Sequence, residues 1–355
     1  MNTYAFSTCN VFILLHFSIF SQDITPYKFT DEEMDNGGPV YTIPATSRFT
    51  INQNFLHSRN IIYYLSKPQN HTFPIAILCG GSSSEDTIKS IIHFHRYFLK
   101  EFLDLGLGVL TVEQQGVDGN SIDTKEFMQN YTRSNRLSDY RIVIDHINQN
   151  PPHGWNGKLI FLGVSEGGPL VTTLTTDYPH ITLATINWSG AGDFSWDTEL
   201  WNFLQDLSTN LPWHISLRIK IPSWMPFSLQ PYFPQSKEEY VKIIHKIIKN
   251  PTADLTFFGM TYKYHTDALI TYPKPQYDKI KTPYLVVAGE EDSCITSCDA
   301  FVKKAKETGA PITYMRIPDM DHYVRRKDEV IKASFEWLKK TLYLHYVNRS
   351  DNVIK

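Results

Sequence analysis

The chain of 355 residues is poor in cysteine and carries no surplus of positive charge. Its four cysteines are Cys9, Cys79, Cys294 and Cys298. None of them forms a CxxC pair and no CxxC…HxxxH pattern occurs, which excludes a structural zinc site of that kind. Cys294 and Cys298 have helical spacing, which seldom suits a disulfide, so free thiols are expected there. Lys and Arg number 34 against 37 Asp and Glu, a net charge of −3. Without a basic surplus, nucleic acid is not the expected partner. No G-x-x-x-x-G-K-[ST] loop is present to cradle a phosphate. No His, Asp or Glu cluster has metal spacing, and His93 and His95 would face apart on a helix. No metal and no cofactor are assigned.

Long apolar runs are also lacking. The longest, residues 11–20 (VFILLHFSIF), is too short to cross a bilayer, and no integral span is expected. It resembles the apolar core of a signal peptide, with Ile19-Phe20-Ser21 as the cleavage site. No Lys or Arg precedes Lys28, and His16 interrupts the run. Residues 1–21 are read as an export signal, with a cytoplasmic protein as the alternative. No internal repeat or low-complexity tract occurs, and nothing sets the oligomeric state.

Hydrophobic residues make up 42% and charged residues 20%, enough to bury a sizeable core and to exclude disorder as the main state. Aromatics reach 14%, with 7 Trp, 20 Tyr and 21 Phe. At roughly 150 residues per domain, the length fits about two domains, or one large α/β domain carrying an insertion.

The order of elements favours the second option. Residues 73–79 form a continuous apolar run ending in Gly80-Gly81-Ser82-Ser83-Ser84, a buried strand followed by a flexible loop. Residues 88–105 carry apolar side chains at helical spacing, closed by Gly106. A strand over 107–112 and a helix over 138–150, capped by Ser138-Asp139 and ended by Pro151-Pro152, come next. Then follow a strand at 158–164, a helix at 167–178, strands at 181–186, 283–288 and 312–317, and a last helix at 326–342. Such alternation implies a mostly parallel, doubly wound sheet with right-handed crossovers. Residues 40–43 and 61–65 read as antiparallel edge strands before it. Residues 191–281 break the rhythm with no clean strand, a proline-rich piece and a helix at 237–249. They read as an inserted, mainly helical cap. The catalytic domain is then 22–190 with 282–355.

The sharpest motif is Gly163-Val164-Ser165-Glu166-Gly167, followed by Gly168. It sits between an expected strand and an expected helix, the context of a nucleophile elbow. A serine needs a base and an orienting acid. Asp292 and His322 follow the strands at 283–288 and 312–317, at the carboxyl ends where parallel sheets place their sites. Glu290 and Glu291 compete as the acid. Asp292 is preferred because the strand must first turn over the sheet edge, and Glu290 is the runner-up. Asp319 and Asp321 read as loop-capping or solvated. An oxyanion hole needs two backbone donors. One is the Glu166 N–H; the other comes from Gly81 or Ser82, where glycine permits close approach. In the loop at 112–121, Asp118 and Asp123 read as residues holding hydrogen bonds.

With these residues in view, the chain resembles the α/β-hydrolase superfamily over about 60–345, and within it the esterase, lipase and serine-aminopeptidase-like branches. Gly163–Gly168 look like their nucleophile motif, Gly289-x-x-Asp292 like their acid loop and Asp321-His322 like their base loop. Glu113-Gln114-Gln115-Gly116-x-x-Gly119-x-Ser121 is similar to a D-x-R-G-x-G-x-S loop, with Glu and Gln in place of Asp and Arg and one residue extra. The glycine-serine loop at 80–84 differs from the His-Gly start common in lipases. The resemblance implies a cofactor-free serine hydrolase with an acyl-enzyme on Ser165 and a small ester or acyl substrate.

Five tryptophans lie between Trp188 and Trp224. Each alone reads as packing between cap and sheet. As a group they lean towards an apolar or aromatic substrate. Glu166 could reach a substrate amine or cap its helix. An ester hydrolase is the first expectation, a peptidase or thioesterase the second, and a silent binding protein the third.

Overall fold

The computed structural model describes residues 46–53, 59–69, 72–190, 192–210, 234 and 236–353. The expected signal at 1–21, the strand at 40–43, Trp213 and Trp224 lie outside these. Eight strands form one sheet: β1 (Thr46–Gln53), β2 (Arg59–Ser66), β3 (Phe73–Cys79), β4 (Gly108–Val112), β7 (Trp155–Val164), β8 (Thr182–Trp188), β11 (Tyr284–Gly289) and β12 (Ile312–Ile317). Two further pairs, β5 (Val117–Asp118) with β6 (Ser121–Ile122) and β9 (Thr256–Phe257) with β10 (Met260–Thr261), are short hairpins outside it. The sheet order is β1-β2-β4-β3-β7-β8-β11-β12. β2 runs antiparallel to both β1 and β4, and every later pairing is parallel.

β3 shows why the central strands are apolar throughout. All seven of its residues are buried. Ala76 and Leu78 join one core cluster with Phe98, Phe102, Trp188 and Phe335. Ile75, Ile77 and Cys79 join the opposite cluster with Leu137, Tyr140, Val143 and Leu170. The first face is covered by α1 (Ile92–Tyr97), α2 (Leu99–Asp104) and the last helix, α10 (Asp328–Val353). The second is covered by α4 (Arg133–Gln149) and α5 (Gly167–Asp177). A sheet with helices on both faces has no solvated side, so alternation gives way to continuous hydrophobicity. Each fully buried Ile or Leu contributes about 1.5–3 kcal/mol through burial.

Two helix expectations need correction. The segment at 88–105 is two helices, broken at Phe98, which caps both with φ −107°. Phe98 is driven into the core beside Trp188 (ring centroids 5.0 Å apart) and Phe335, and that packing overrides the helical period. α4 starts at Arg133, ahead of Ser138. Its cap is Thr132, whose Oγ1 accepts the Asn135 N–H at 3.1 Å, as an N-cap threonine should. A preceding helix, α3 (Thr124–Asn130), is capped likewise by Asp123, which accepts the Glu126 N–H at 2.9 Å. Asp118 instead pairs with Arg48.

The stretch between the neighbouring strands β8 and β11 holds α6 (Trp196–Asn210), α7 (Lys237–Lys249), the β9/β10 hairpin and α8 (Tyr262–Thr266). Leu200, Leu204, Tyr240, Ile244, Ile247 and Tyr262 form a small core of their own. A further helix, α9 (Ile295–Glu307), packs Cys298, Phe301 and Val302 against Tyr284, Val286 and Ala288 of β11. No described helix is long and apolar enough to cross a membrane.

Candidate active site

β7 ends at Val164 and α5 begins at Gly167, so Ser165 occupies the turn between them. Its φ is 53°, left-handed backbone that costs a side-chain-bearing residue about 1–2 kcal/mol. Backbone bonds hold it there. The Ser165 N–H donates to Trp188 O at 2.9 Å, and the Gly168 N–H donates to Ser165 O at 2.8 Å. The glycines are required by space. A Cβ on Gly163 would stand 2.3 Å from Gly167 O, and one on Gly167 would stand 2.0 Å from Cys79 O.

His322 follows β12, and Asp292 follows β11. His322 Nε2 lies 2.9 Å from Ser165 Oγ, and its Nδ1 lies 3.0 Å from Asp292 Oδ1. The Asp292 side chain is fully buried. A carboxylate accepts only, so Nδ1 carries the proton and Nε2 is left to accept from the serine hydroxyl. Asp292 Oδ1 also accepts the Cys294 N–H at 2.9 Å. Burial alone would disfavour the Asp292 charge, but the hydrogen bond and field of His322 outweigh it and lower its pKa. Burial likewise opposes the imidazolium, yet the bonds to Asp292 first and Cys294 second lift His322 well above 6.5.

The competing acids sit elsewhere. Glu290 is exposed and paired with Arg316, and Glu291 is exposed. The Glu290 N–H still donates to Ile317 O at 2.9 Å, whereas the Asp292 N–H turns back to Gly289 O at 3.2 Å. The chain therefore turns between them. Asp319 is exposed, and Asp321 accepts the Tyr323 N–H at 2.7 Å and pairs with Arg326.

The Gly80–Ser83 loop runs beside the elbow. A Cβ on Gly81 would lie 3.2 Å from Ser165 Cβ and 3.7 Å from its Oγ. The Ser83 N–H donates to Tyr131 Oη at 2.9 Å. The N–H groups of Gly81, Ser82 and Glu166 find no acceptor among the described residues. Gly81 is part-buried and Ser82 exposed.

The Glu166 carboxylate does neither of the two things expected of it. It makes no cap bond to its helix. Instead Arg133 Nε donates to Oε1 at 3.2 Å, Tyr131 Oη donates to Oε2 at 3.3 Å, and Arg136 Nη1 lies 3.4 Å from Oε2. With only 3% of its side chain exposed, Glu166 is consumed by this network and is not free to bind an amine. Sequence reading missed Tyr131, Arg133 and Arg136, because two arginines three apart on a helix look like a solvated face.

The fold also assembles a cluster that spacing did not announce. Asp292, Cys294 and His322 bring a carboxylate, a thiol and an imidazole within 4.8 Å of one another. These donors could hold a metal ion only by drawing His322 and Asp292 out of their contacts with each other and with Ser165. Burial pushes the Cys294 thiol up to about 11, and it forms no disulfide, nor do Cys79 and Cys298.

Among the described residues, three tryptophans of the group between Trp188 and Trp224 pack within the fold. Trp188 lies in the sheet core, its Nε1 donating to Ser334 Oγ at 3.0 Å, and does not line a pocket over Ser165. Trp196 stacks under the Arg133 guanidinium, 4.4 Å from its ring centroid. Trp201 packs on Tyr240, 5.0 Å between centroids. Ser83, Phe127, Met128, Tyr131, Met260 and Thr261 border a depression too small to admit a water molecule.

No family model and no curated protein matches the sequence. Solved structures do. A thermostable carboxyl esterase from Bacillus coagulans superposes with a TM-score of 0.53 at 14% identity, covering 85% of this chain and 99% of its own. An esterase from the fungus Rhizomucor miehei gives 0.53 at 14% identity, covering 85% and 84%. A dipeptidyl aminopeptidase IV-like protein from Bacteroides ovatus gives 0.51 at 14% identity, covering 86% of this chain and 36% of that one. The chain has the α/β-hydrolase fold.

Proposed function

We propose that the protein is a serine hydrolase of carboxylic esters and that Ser165, His322 and Asp292 carry the reaction. The observation that bears most weight is the continuous chain of contacts: 2.9 Å from Ser165 Oγ to His322 Nε2, then 3.0 Å from Nδ1 to Asp292 Oδ1. It stands on a strained turn at the carboxyl ends of parallel strands. In this reading the Ser165 hydroxyl attacks the ester carbonyl carbon while His322 takes its proton. Asp292 stabilises the resulting imidazolium. The carbonyl oxygen becomes an oxyanion, held by the N–H groups of Glu166 and Gly81. Collapse breaks the bond to the leaving oxygen, which takes the proton from His322 and departs as the alcohol, leaving the acyl group on Ser165. Water, deprotonated by the same histidine, then frees the acid and restores Ser165.

An ester is favoured over a peptide because the carboxylate that follows the nucleophile in sequence, Glu166, is already bound by two arginines. The inserted segment at 191–281 is read as the cap over this site, and residues 1–21 as an export signal. A panel of p-nitrophenyl esters of graded chain length, run against amino-acid anilides with Ser165→Ala as control, tests the reading. Ester hydrolysis abolished in the variant supports it. Faster turnover of the anilides makes the enzyme a peptidase, and activity that survives Ser165→Ala removes the mechanism. Recovery from the medium of a chain beginning after Ser21 supports export; an intact Met1 in the cytoplasm contradicts it.

A further inference from the structure

Two buried groups on and just before α4, Arg136 and Tyr131, hold both ends of the loop beside the nucleophile. Arg136 Nη2 donates to Gly80 O at 2.7 Å, and its Nη1 donates to Tyr131 Oη at 3.2 Å. Tyr131 Oη accepts the Ser83 N–H at 2.9 Å. The Arg136 side chain is only 7% exposed. The Gly80 carbonyl is thus fixed by a charged donor and the Ser83 amide by a phenol oxygen. The two amides between them, Gly81 and Ser82, keep their N–H groups clear of any described acceptor.

We infer that Arg136 is a positioning residue for the oxyanion hole, aiming and polarising the Gly81 N–H through the Gly80 carbonyl. The physical link is the peptide plane. The Gly80 C=O and the Gly81 N–H belong to one planar trans unit and point in opposite directions. Tying the oxygen to a guanidinium on the α4 side turns the N–H away from α4. Gly81 is the loop residue whose backbone approaches Ser165, as the 3.2 Å Cβ contact shows. A charge-assisted bond to the oxygen also draws electron density from the nitrogen, so the N–H becomes a stronger donor. Glu166 closes the circuit. Its backbone N–H is the other proposed donor, and its carboxylate lies 3.4 Å from Arg136 Nη1 and holds the guanidinium in place. Both donors of the hole are then set by one buried ion pair.

This rests on the reading of Ser165 as nucleophile, and the test separates the two. The full chain is purified as wild type, Arg136→Met, Arg136→Lys and Tyr131→Phe. For each, kcat and KM are measured on p-nitrophenyl butyrate, the Ki of an alkyl trifluoromethyl ketone is determined, and Tm is recorded. The ketone adds to the serine and places an oxyanion in the hole. Arg136→Met should lower kcat about 10²-fold, in the range for losing one oxyanion donor. KM should stay within about twofold, since substrate is bound before the charge develops. The Ki of the ketone should rise by about the same factor as kcat falls. Arg136→Lys, which keeps a charged donor, should recover part of both, and Tyr131→Phe should lose about tenfold. A purely structural Arg136 would lower Tm while the folded fraction kept its kcat and Ki; that result overturns the inference. Should Arg136→Met fail to fold, unchanged kcat and Ki in both Arg136→Lys and Tyr131→Phe overturn it equally. An active wild type with unaffected variants removes this inference alone, whereas a wild type that hydrolyses no ester removes both.

Discussion

Replacing Gly167 with alanine would put a methyl group 2.0 Å from Cys79 O and 2.9 Å from Gly80 O. Carbon and oxygen need about 3 Å or more, so α5 and the end of β3 must part by about 1 Å. Overpacking of this kind costs about 1–3 kcal/mol. The better helix propensity of alanine offsets at most ~1 kcal/mol at the first helical residue. A net loss of about 2 kcal/mol, with an m-value of ~3 kcal/mol/M, lowers the urea midpoint by roughly 0.7 M. The effect on rate should be larger, because the elements forced apart carry the two halves of the site. Ser165 sits in the turn just before α5, and the Gly80–Gly81 loop follows β3. A displacement of about 1 Å is enough to cost roughly 10²-fold in kcat/KM. The assay is p-nitrophenyl butyrate hydrolysis beside urea unfolding followed by circular dichroism. Gly309→Ala is the control: φ there is +77° with nothing within 4 Å of the added carbon. It should lose about 1 kcal/mol of stability through backbone strain alone and keep its kcat/KM. Wild-type rate and wild-type midpoint in Gly167→Ala would refute the packing argument.

The remaining predictions concern charge. Asp292→Asn should cut kcat by about 10⁴-fold by leaving His322 in the wrong tautomer, while Glu290→Gln should change it less than twofold; comparable losses in both would reassign the acid. Because Asp292 lifts His322 well above 6.5, the imidazole must shed a proton before it can act as base, so kcat/KM should rise with pH through a midpoint above 6.5. A limb centred below pH 6 contradicts this. In the sheet core, burial drives His95 down to about 3, between Ser66 Oγ at 2.8 Å and Thr111 Oγ1 at 2.9 Å. The folded protein keeps this ring neutral while the unfolded chain protonates near 6.5. Stability should therefore fall as pH drops from about 6.5 towards 3, by roughly 1.4 kcal/mol per pH unit from this group. His95→Gln should flatten that slope in urea titrations between pH 6 and pH 4, and an unchanged slope would show that His95 does not titrate there.

How much of this was legible in the chain depends on where the information lies. The G-x-S-x-G elbow was, because sterics at Gly163 and Gly167 impose glycine locally and the flanking strand and helix have clear periods. The parallel core was too, since burial on both faces leaves continuous apolar runs. Which carboxylate meets His322 was harder: Glu290, Glu291 and Asp292 are consecutive, and only the turn of backbone after Gly289 separates an exposed Glu290 from a buried Asp292. The break at Phe98 escaped notice because tertiary packing overrode a good helical period. The loop-bracing role of Tyr131 and Arg136 was invisible for the opposite reason. Their partners, Gly80, Ser83 and Glu166, are remote in sequence and contribute mostly backbone atoms, which leave no residue-type signature. Cys294 joined His322 by the same route, through the meeting of two loops.

The central claim is that Ser165 is an activated nucleophile, and phosphonylation tests it most directly. Folded protein treated with a fluorophosphonate and mapped by peptide mass spectrometry should carry one adduct, on Ser165. The adduct should vanish when the protein is unfolded before treatment, because the relay through His322 to Asp292 exists only in the fold. Absence of any adduct on the folded protein, or an adduct on another serine with Ser165 unmodified, would contradict the account.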